Sequence, residues 1–187
     1  MSELSLEDHK VAILVANGFE EVELFEPRQA LKNAGAEVQV VSPEPEDVKG
    51  WKSKNWGRSI KVDVQVDTAN PEKFDALLLP GGVMNPDKLR MNKSAVQFVK
   101  AFVDAGKPIA AICHAPWTLI EAGAVRGRRL TSYPSLKTDL INAGAEWVDE
   151  EVVTDRGLVT SRSPKDIPAF NKKMIEEFVE GGHKVAA

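Results

Sequence analysis

The sequence predicts a doubly wound α/β protein with a mainly parallel sheet and helices on both faces. Three observations carry this. The runs at 11–16, 74–79 and 109–112 are apolar almost without alternation, as in parallel strands covered on both sides. Stretches of helical spacing, stopped by Gly35, Gly106, Gly123 and Gly144, lie between strand-like segments. Each of the three apolar runs ends in a small-residue turn: Asn17-Gly18-Phe19-Glu20, Pro80-Gly81-Gly82 or Cys113-His114-Ala115. The carboxyl ends of such strands share one sheet edge, so these turns are expected to converge.

The elements follow in order. The strand at 11–16 is entered from Lys10. Residues 20–26 open an acid-rich helix start, which suits the helix dipole. Pro27 cannot continue that helix without a kink but can begin a new turn, and 28–34 complete the helix. A second strand is expected at 37–42. Residues 43–58 form a Pro-, Gly- and Lys-containing lobe with Trp51 and Trp56, either a subunit contact or a local packing pair. Residues 60–67 alternate cleanly and predict one peripheral strand, in a hairpin with 47–54. After the strand at 74–79, residues 83–90 are a loop or short helix and 94–105 a helix. The strand at 109–112 turns into a helix at 117–122. A helix at 135–143, a strand at 146–148 and a hairpin of 152–155 with 158–161 about Arg156-Gly157 follow. Ser163-Pro164-Lys165 is read as the cap of a last helix reaching 179, with His183 in a tail beyond.

Composition sets outer bounds. A chain of 187 residues with 43% hydrophobic and 28% charged residues fits one globular domain, with a core of about 10–179. A net charge of −4 argues against a general nucleic-acid or membrane surface. The single cysteine excludes an intramolecular disulfide, and three scattered histidines speak against a zinc site. The acidic start lacks a signal-peptide core and no run has membrane-spanning length, so a cytoplasmic protein is expected.

Cys113 is the candidate nucleophile. It stands where a buried strand turns sharply into a helix, a corner that raises its residue above the sheet. Backbone N–H groups at the helix start are expected to push its thiol toward thiolate. A lone cysteine is otherwise a small buried hydrophobe, but that role belongs inside the strand. Gly81-Gly82 permits close backbone approach. The Gly82 and His114 N–H groups together would form an oxyanion hole for addition to a carbonyl. His9 and His183 lie in tails, so a histidine base would be His114, whose alternative is a purely backbone role. Glu20 is either part of a solvated acidic face or a buried carboxyl, which beside a thiolate should be protonated.

These residues resemble a known family. Asn17-Gly18-Phe19-Glu20, Leu79-Pro80-Gly81-Gly82, Ala111-Ile112-Cys113-His114-Ala115-Pro116 and Leu130-Thr131-Ser132-Tyr133-Pro134 look like the PfpI intracellular protease and general stress protein family, of the class I glutamine amidotransferase-like superfamily. The resemblance runs from about Lys10 to Val179. It implies a flavodoxin-like fold, a Cys113 nucleophile with Glu20 as its partner, Gly81 and Tyr133 in the pocket, and a homo-oligomer. It also implies cofactor-free, metal-free chemistry on small carbonyl compounds or glycated proteins and peptides, as deglycase, glyoxalase or peptidase. In the peptidase members a Glu after the diglycine reaches a neighbouring subunit's His, and Asp87 matches that position. A glutaminase is excluded, because Ser163-Pro164-Lys165 replaces the His-x-Glu such enzymes need. The alternative is a redox-sensing stress protein or chaperone in which Cys113 oxidises reversibly.

Overall fold

A computed structural model describes residues 4–182. Its first strand, β1 (Lys10–Leu14), runs into a two-residue β2 (Phe19–Glu20) and helix α1 (Glu21–Asn33), then β3 (Glu37–Ser42). A hairpin of β4 (Asp47–Lys52) and β5 (Asn55–Lys61) precedes β6 (Val64–Gln65) and β7 (Ala76–Leu79). Helices α2 (Met84–Met91) and α3 (Lys93–Asp104) lead to β8 (Ile109–Ile112) and α4 (Pro116–Glu121). The chain continues through β9 (Arg129–Leu130), α5 (Lys137–Asn142), β10 (Glu146–Trp147), β11 (Val152–Asp155), β12 (Leu158–Ser161) and α6 (Ile167–Glu180).

Seven strands form one sheet in the order β11-β12-β8-β7-β1-β3-β6, every pair parallel except β11 with β12. The chain winds outward from β1 through β3 to β6, then crosses to β7 on the other side of β1. The switch point of the sheet therefore lies between β1 and β7, with β8 next to them. Open α/β sheets hold their ligands at this place.

The absence of alternation in the central strands has a direct cause. Ala12, Leu14, Leu77 and Leu79 pack with Phe98, Phe102 and Leu119 on one face. Val11, Ile13, Leu78 and Ile112 pack with Leu24, Leu31, Phe170 and Met174 on the other. Both faces are dry, and each fully buried Leu or Phe side chain contributes about 1.5–3 kcal/mol.

Three expectations are adjusted. Residues 60–67 are two strands rather than one: β5 ends at Lys61 on β4, and β6 pairs with β3. Asp63 makes the break, its Oδ2 accepting the Val40 N–H at 2.7 Å. Helix α1 runs through Pro27 without restarting, although the ring removes the N–H that would bond the Glu23 carbonyl. Ser163 makes no side-chain cap; a 3-10 turn at Pro164–Asp166 precedes α6, and Asp166 instead takes Arg162 Nε at 2.9 Å. Trp51 and Trp56 pack edge to face at 5.5 Å within the hairpin, with Trp56 still about half exposed. His183 lies outside the described residues.

Candidate active site

The corner after β8 is held from two sides. The Cys113 N–H donates to Ser161 O at 3.0 Å, extending the ladder to β12, and its carbonyl accepts the Tyr133 N–H at 2.9 Å. Between these bonds Cys113 has φ of 64°, in the left-handed region. For a residue with a Cβ that conformation costs on the order of 1–3 kcal/mol and persists only where the surroundings impose it. The side chain is thereby turned out of the sheet toward the diglycine and the start of α1.

Its sulphur meets four groups. His114 Nδ1 lies 3.1 Å from Sγ, so the adjacent side chains meet rather than diverge. The Gly82 and His114 backbone N–H groups point at the sulphur. The fourth is the Glu23 carboxyl, whose Oε2 accepts the Gly81 N–H at 3.0 Å. Its Oε1 is buried with no hydrogen bond of regular geometry, and the carboxyl also faces the thiol and the Gly82 N–H. No side chain fits at Gly81. A Cβ there would stand 2.5 Å from Glu23 Oε2 and 2.6 Å from Cys113 Cβ. Gly82, at φ of 78°, abuts the Glu20 N and Gly18 O atoms. Asn85, fully buried, ties two strand ends together: Nδ2 donates to Pro80 O and Gly81 O, while Oδ1 accepts the Ala16 N–H.

The site is kept uncharged. Burial, with the nearby Glu20 charge second, raises the Glu23 carboxyl to about 8, so it is protonated at neutral pH. Burial, then the Glu23 charge, pushes the Cys113 thiol up; the two N–H groups oppose this without cancelling it. The expectation of a depressed thiol is thus reversed. The reason is local: α4 has only six residues, too short a dipole to outweigh desolvation and a neighbouring carboxyl. Burial also pushes the His114 imidazole down, favouring its neutral form.

The sequence-expected residues separate as follows. Cys113, His114, Gly81 and Gly82 come together. Glu20 is displaced from the role expected of it: it is the residue before α1, half-buried, and its backbone N–H reaches Gly81 O at 3.3 Å. The carboxyl at the thiol is Glu23, one helical turn on, because the first turn of α1 and not the preceding bend faces the sulphur. Glu20 acts on it through space, its own carboxyl raised by burial and by Glu21. Tyr133 stacks on the His114 ring at 4.6 Å, and Trp117 meets that ring edge-on at 5.2 Å. Asp87 is half exposed on α2 and pairs with Arg90 of the same helix at 3.2 Å, apart from this group within the chain. Sequence reasoning missed Glu23, Asn85 and Ser135, the last 3.2 Å from His114 Nε2. Glu23 had a legible signal, since it shares a four-residue spacing with the buried Pro27 and Leu31. Among the described residues no group of three or more His, Cys, Asp or Glu side chains could hold a metal, and no helix is long and apolar enough to cross a membrane.

The switch-point sheet and the raised cysteine corner define a flavodoxin-like α/β protein with a nucleophile elbow. Residues 9–177 match the DJ-1/PfpI family, and the chain belongs to it. It is 48% identical to a deglycase of Pyrococcus horikoshii, over 89% of this chain and 98% of the relative. It is 44% identical to protein/nucleic acid deglycase 2 of Escherichia coli, over 89% of this chain and 95% of the relative. Among solved structures it resembles a two-domain protein of Anabaena variabilis with DJ-1/ThiJ/PfpI-like and ferritin-like domains. The TM-score is 0.85 with 39% identity, and the match covers 90% of this chain and 48% of that one, so the chain spans about half its length.

Proposed function

We propose that this protein is a cofactor-free cysteine enzyme that acts on carbonyl adducts, a deglycase that releases amines or thiols from methylglyoxal adducts. One observation carries the reading: a buried thiol 3.1 Å from an imidazole nitrogen, with two backbone N–H groups converging on its sulphur. The names of the deglycase relatives support the substrate class.

In this mechanism the amine or thiol of the adduct leaves its carbinol carbon with the carbinol O–H proton, exposing an aldehyde. Sγ attacks that aldehyde carbon while the thiol proton passes to His114 Nδ1. The carbonyl electron pair moves onto oxygen, which takes the Gly82 and His114 N–H groups as donors. A thiol pushed up by burial has a strong need of that base, so attack and proton transfer are coupled. Glu23, protonated, adds an O–H donor without adding charge. The proton on that carbon then shifts to the neighbouring ketone carbon, so the first becomes a thioester carbonyl as the second becomes an alcohol, its oxygen taking the proton held by His114, and no outside oxidant or reductant enters. Water cleaves the thioester, giving the hydroxy acid and the free thiol.

The reading extends to a cytoplasmic homo-oligomer of this one domain. Val83, Met91 and Tyr133, exposed by 54%, 80% and 41%, flank the diglycine, α2 and His114 and are apolar surface that an assembly would cover. Asp87, on the same helix, would reach a His114 only from a neighbouring subunit. The test is release of lactate from methylglyoxal-treated N-acetylarginine and N-acetylcysteine. Wild-type protein should release it, and Cys113→Ala should not; equal release by both would overturn the reading.

A further inference from the structure

We infer that Ser135 is a positioning residue that selects the tautomer of His114, holding the ring with its proton on Nε2 and its lone pair on Nδ1 toward the Cys113 thiol. The inference rests on the proposed function for its catalytic consequence, but its geometry stands alone. Nε2 of His114 lies 3.2 Å from Ser135 Oγ, and Nδ1 lies 3.1 Å from Cys113 Sγ. Tyr133 stacked at 4.6 Å and Trp117 edge-on at 5.2 Å pack the ring from two sides.

The direction of the two bonds follows from what surrounds the sulphur. The Gly82 and His114 N–H groups are donors, and the thiol proton has two acceptors within reach, the Glu23 carboxyl and the Nδ1 lone pair at 3.1 Å. Attack by sulphur needs that proton on the basic nitrogen, because a carboxyl already protonated cannot take a second one. That places the ring proton on Nε2, where it needs an acceptor, and the Ser135 hydroxyl supplies it. A hydroxyl differs from the carboxylate common in this position. It fixes the tautomer without stabilising imidazolium, which suits a ring that burial keeps neutral. Ser135 is placed by the 3-10 turn Pro134–Leu136, directly after Tyr133, whose N–H holds the Cys113 carbonyl. One short segment thus clamps both the nucleophile's backbone and the far nitrogen of its base.

The test is long-range proton–nitrogen correlation on histidine-labelled protein, with steady-state kinetics alongside. Wild-type His114 should show the Nε2–H tautomer at neutral pH. Ser135→Ala should lose that preference and lower kcat about ten- to a hundredfold, with KM changed less than about twofold. Ser135→Thr, which keeps the hydroxyl, should restore both. An Nδ1–H tautomer or an imidazolium in wild-type protein overturns the inference. So does a tautomer that survives Ser135→Ala and is lost in Asp87→Ala. If wild-type protein releases no lactate, the proposed function fails while the nitrogen spectrum still decides the role of Ser135.

Discussion

Glu21 and Glu23 lie in the same first turn of α1, both almost fully buried, and their electrostatics are opposite. Glu21 faces the β4–β5 hairpin. Its Oε2 accepts the Arg58 N–H at 2.6 Å, and the Arg58 guanidinium and Lys52 ammonium lie at 3.3 and 3.8 Å. That backbone bond, with the two cations, holds its carboxyl below the usual range, so it is a fixed anion. Glu23 faces the diglycine, has no cation paired with it among the described residues, and keeps its proton. Both carboxyls are shielded from solvent, but Glu21 lies shallow beside a backbone donor and two cations while Glu23 lies deep, and depth of burial and supply of counter-charge together set the state of each. One side of the turn pins a hairpin by charge, and the other keeps a reactive thiol in an uncharged pocket.

The largest effect should come from closing the gap between these residues and the corner. Gly81→Ala puts a methyl into Glu23 and Cys113, and overpacking of this kind costs about 1–3 kcal/mol. Denaturant melts should show that loss, and adduct release should be abolished because the carboxyl and sulphur are forced apart. Next in size is the pair Glu23→Gln and Glu23→Leu. The amide keeps a donor on the sulphur and should retain activity to within about tenfold, whereas Leu removes it and should cost about a hundredfold. Equal damage from both would mean that the proton on Glu23 is not what matters. Glu21→Gln should do the reverse of Glu23→Gln: it should lower stability by about 1–2 kcal/mol through the loosened hairpin and leave kcat nearly unchanged.

Most of the fold was legible because its strands are buried on both faces, which writes them as apolar runs with little alternation. The positions of Cys113, Gly81 and Gly82 were legible for a related reason, since strand ends and glycines punctuate the sequence. The thiol's ionisation was not. It depends on which of several acidic residues in one turn faces inward, and the bend at Glu20 and the phase of α1 decide that only in three dimensions. Ser135 was illegible for a different reason: a serine after Tyr-Pro carries no periodic signal, and its role comes from a contact with His114, 21 positions away. The break at Asp63 is similar, a side chain taking a strand N–H that a neighbouring strand was expected to take.

The comparison also sharpens through pH. The Glu23 carboxyl is raised from an ordinary 4.5 to about 8, so the folded chain holds a proton that the unfolded chain loses between those limits. Its neutral form therefore contributes stability that is full below the lower limit and is lost as pH rises through the upper one. Glu23→Gln has no such proton, and its Tm should fall less than that of wild type between about pH 5 and about pH 9. Glu21 has the opposite sign, its carboxyl held low, so Glu21→Gln should remove stability at neutral pH that wild type loses only in acid.

The protonation of Glu23 is most directly read by infrared difference spectroscopy of wild type against Glu23→Gln across pH. A protonated-carboxyl band should be present in wild type at neutral pH, absent from Glu23→Gln, and should disappear with a midpoint near 8. A Glu23 signal that is already carboxylate at neutral pH would contradict the uncharged pocket on which the proposed chemistry depends.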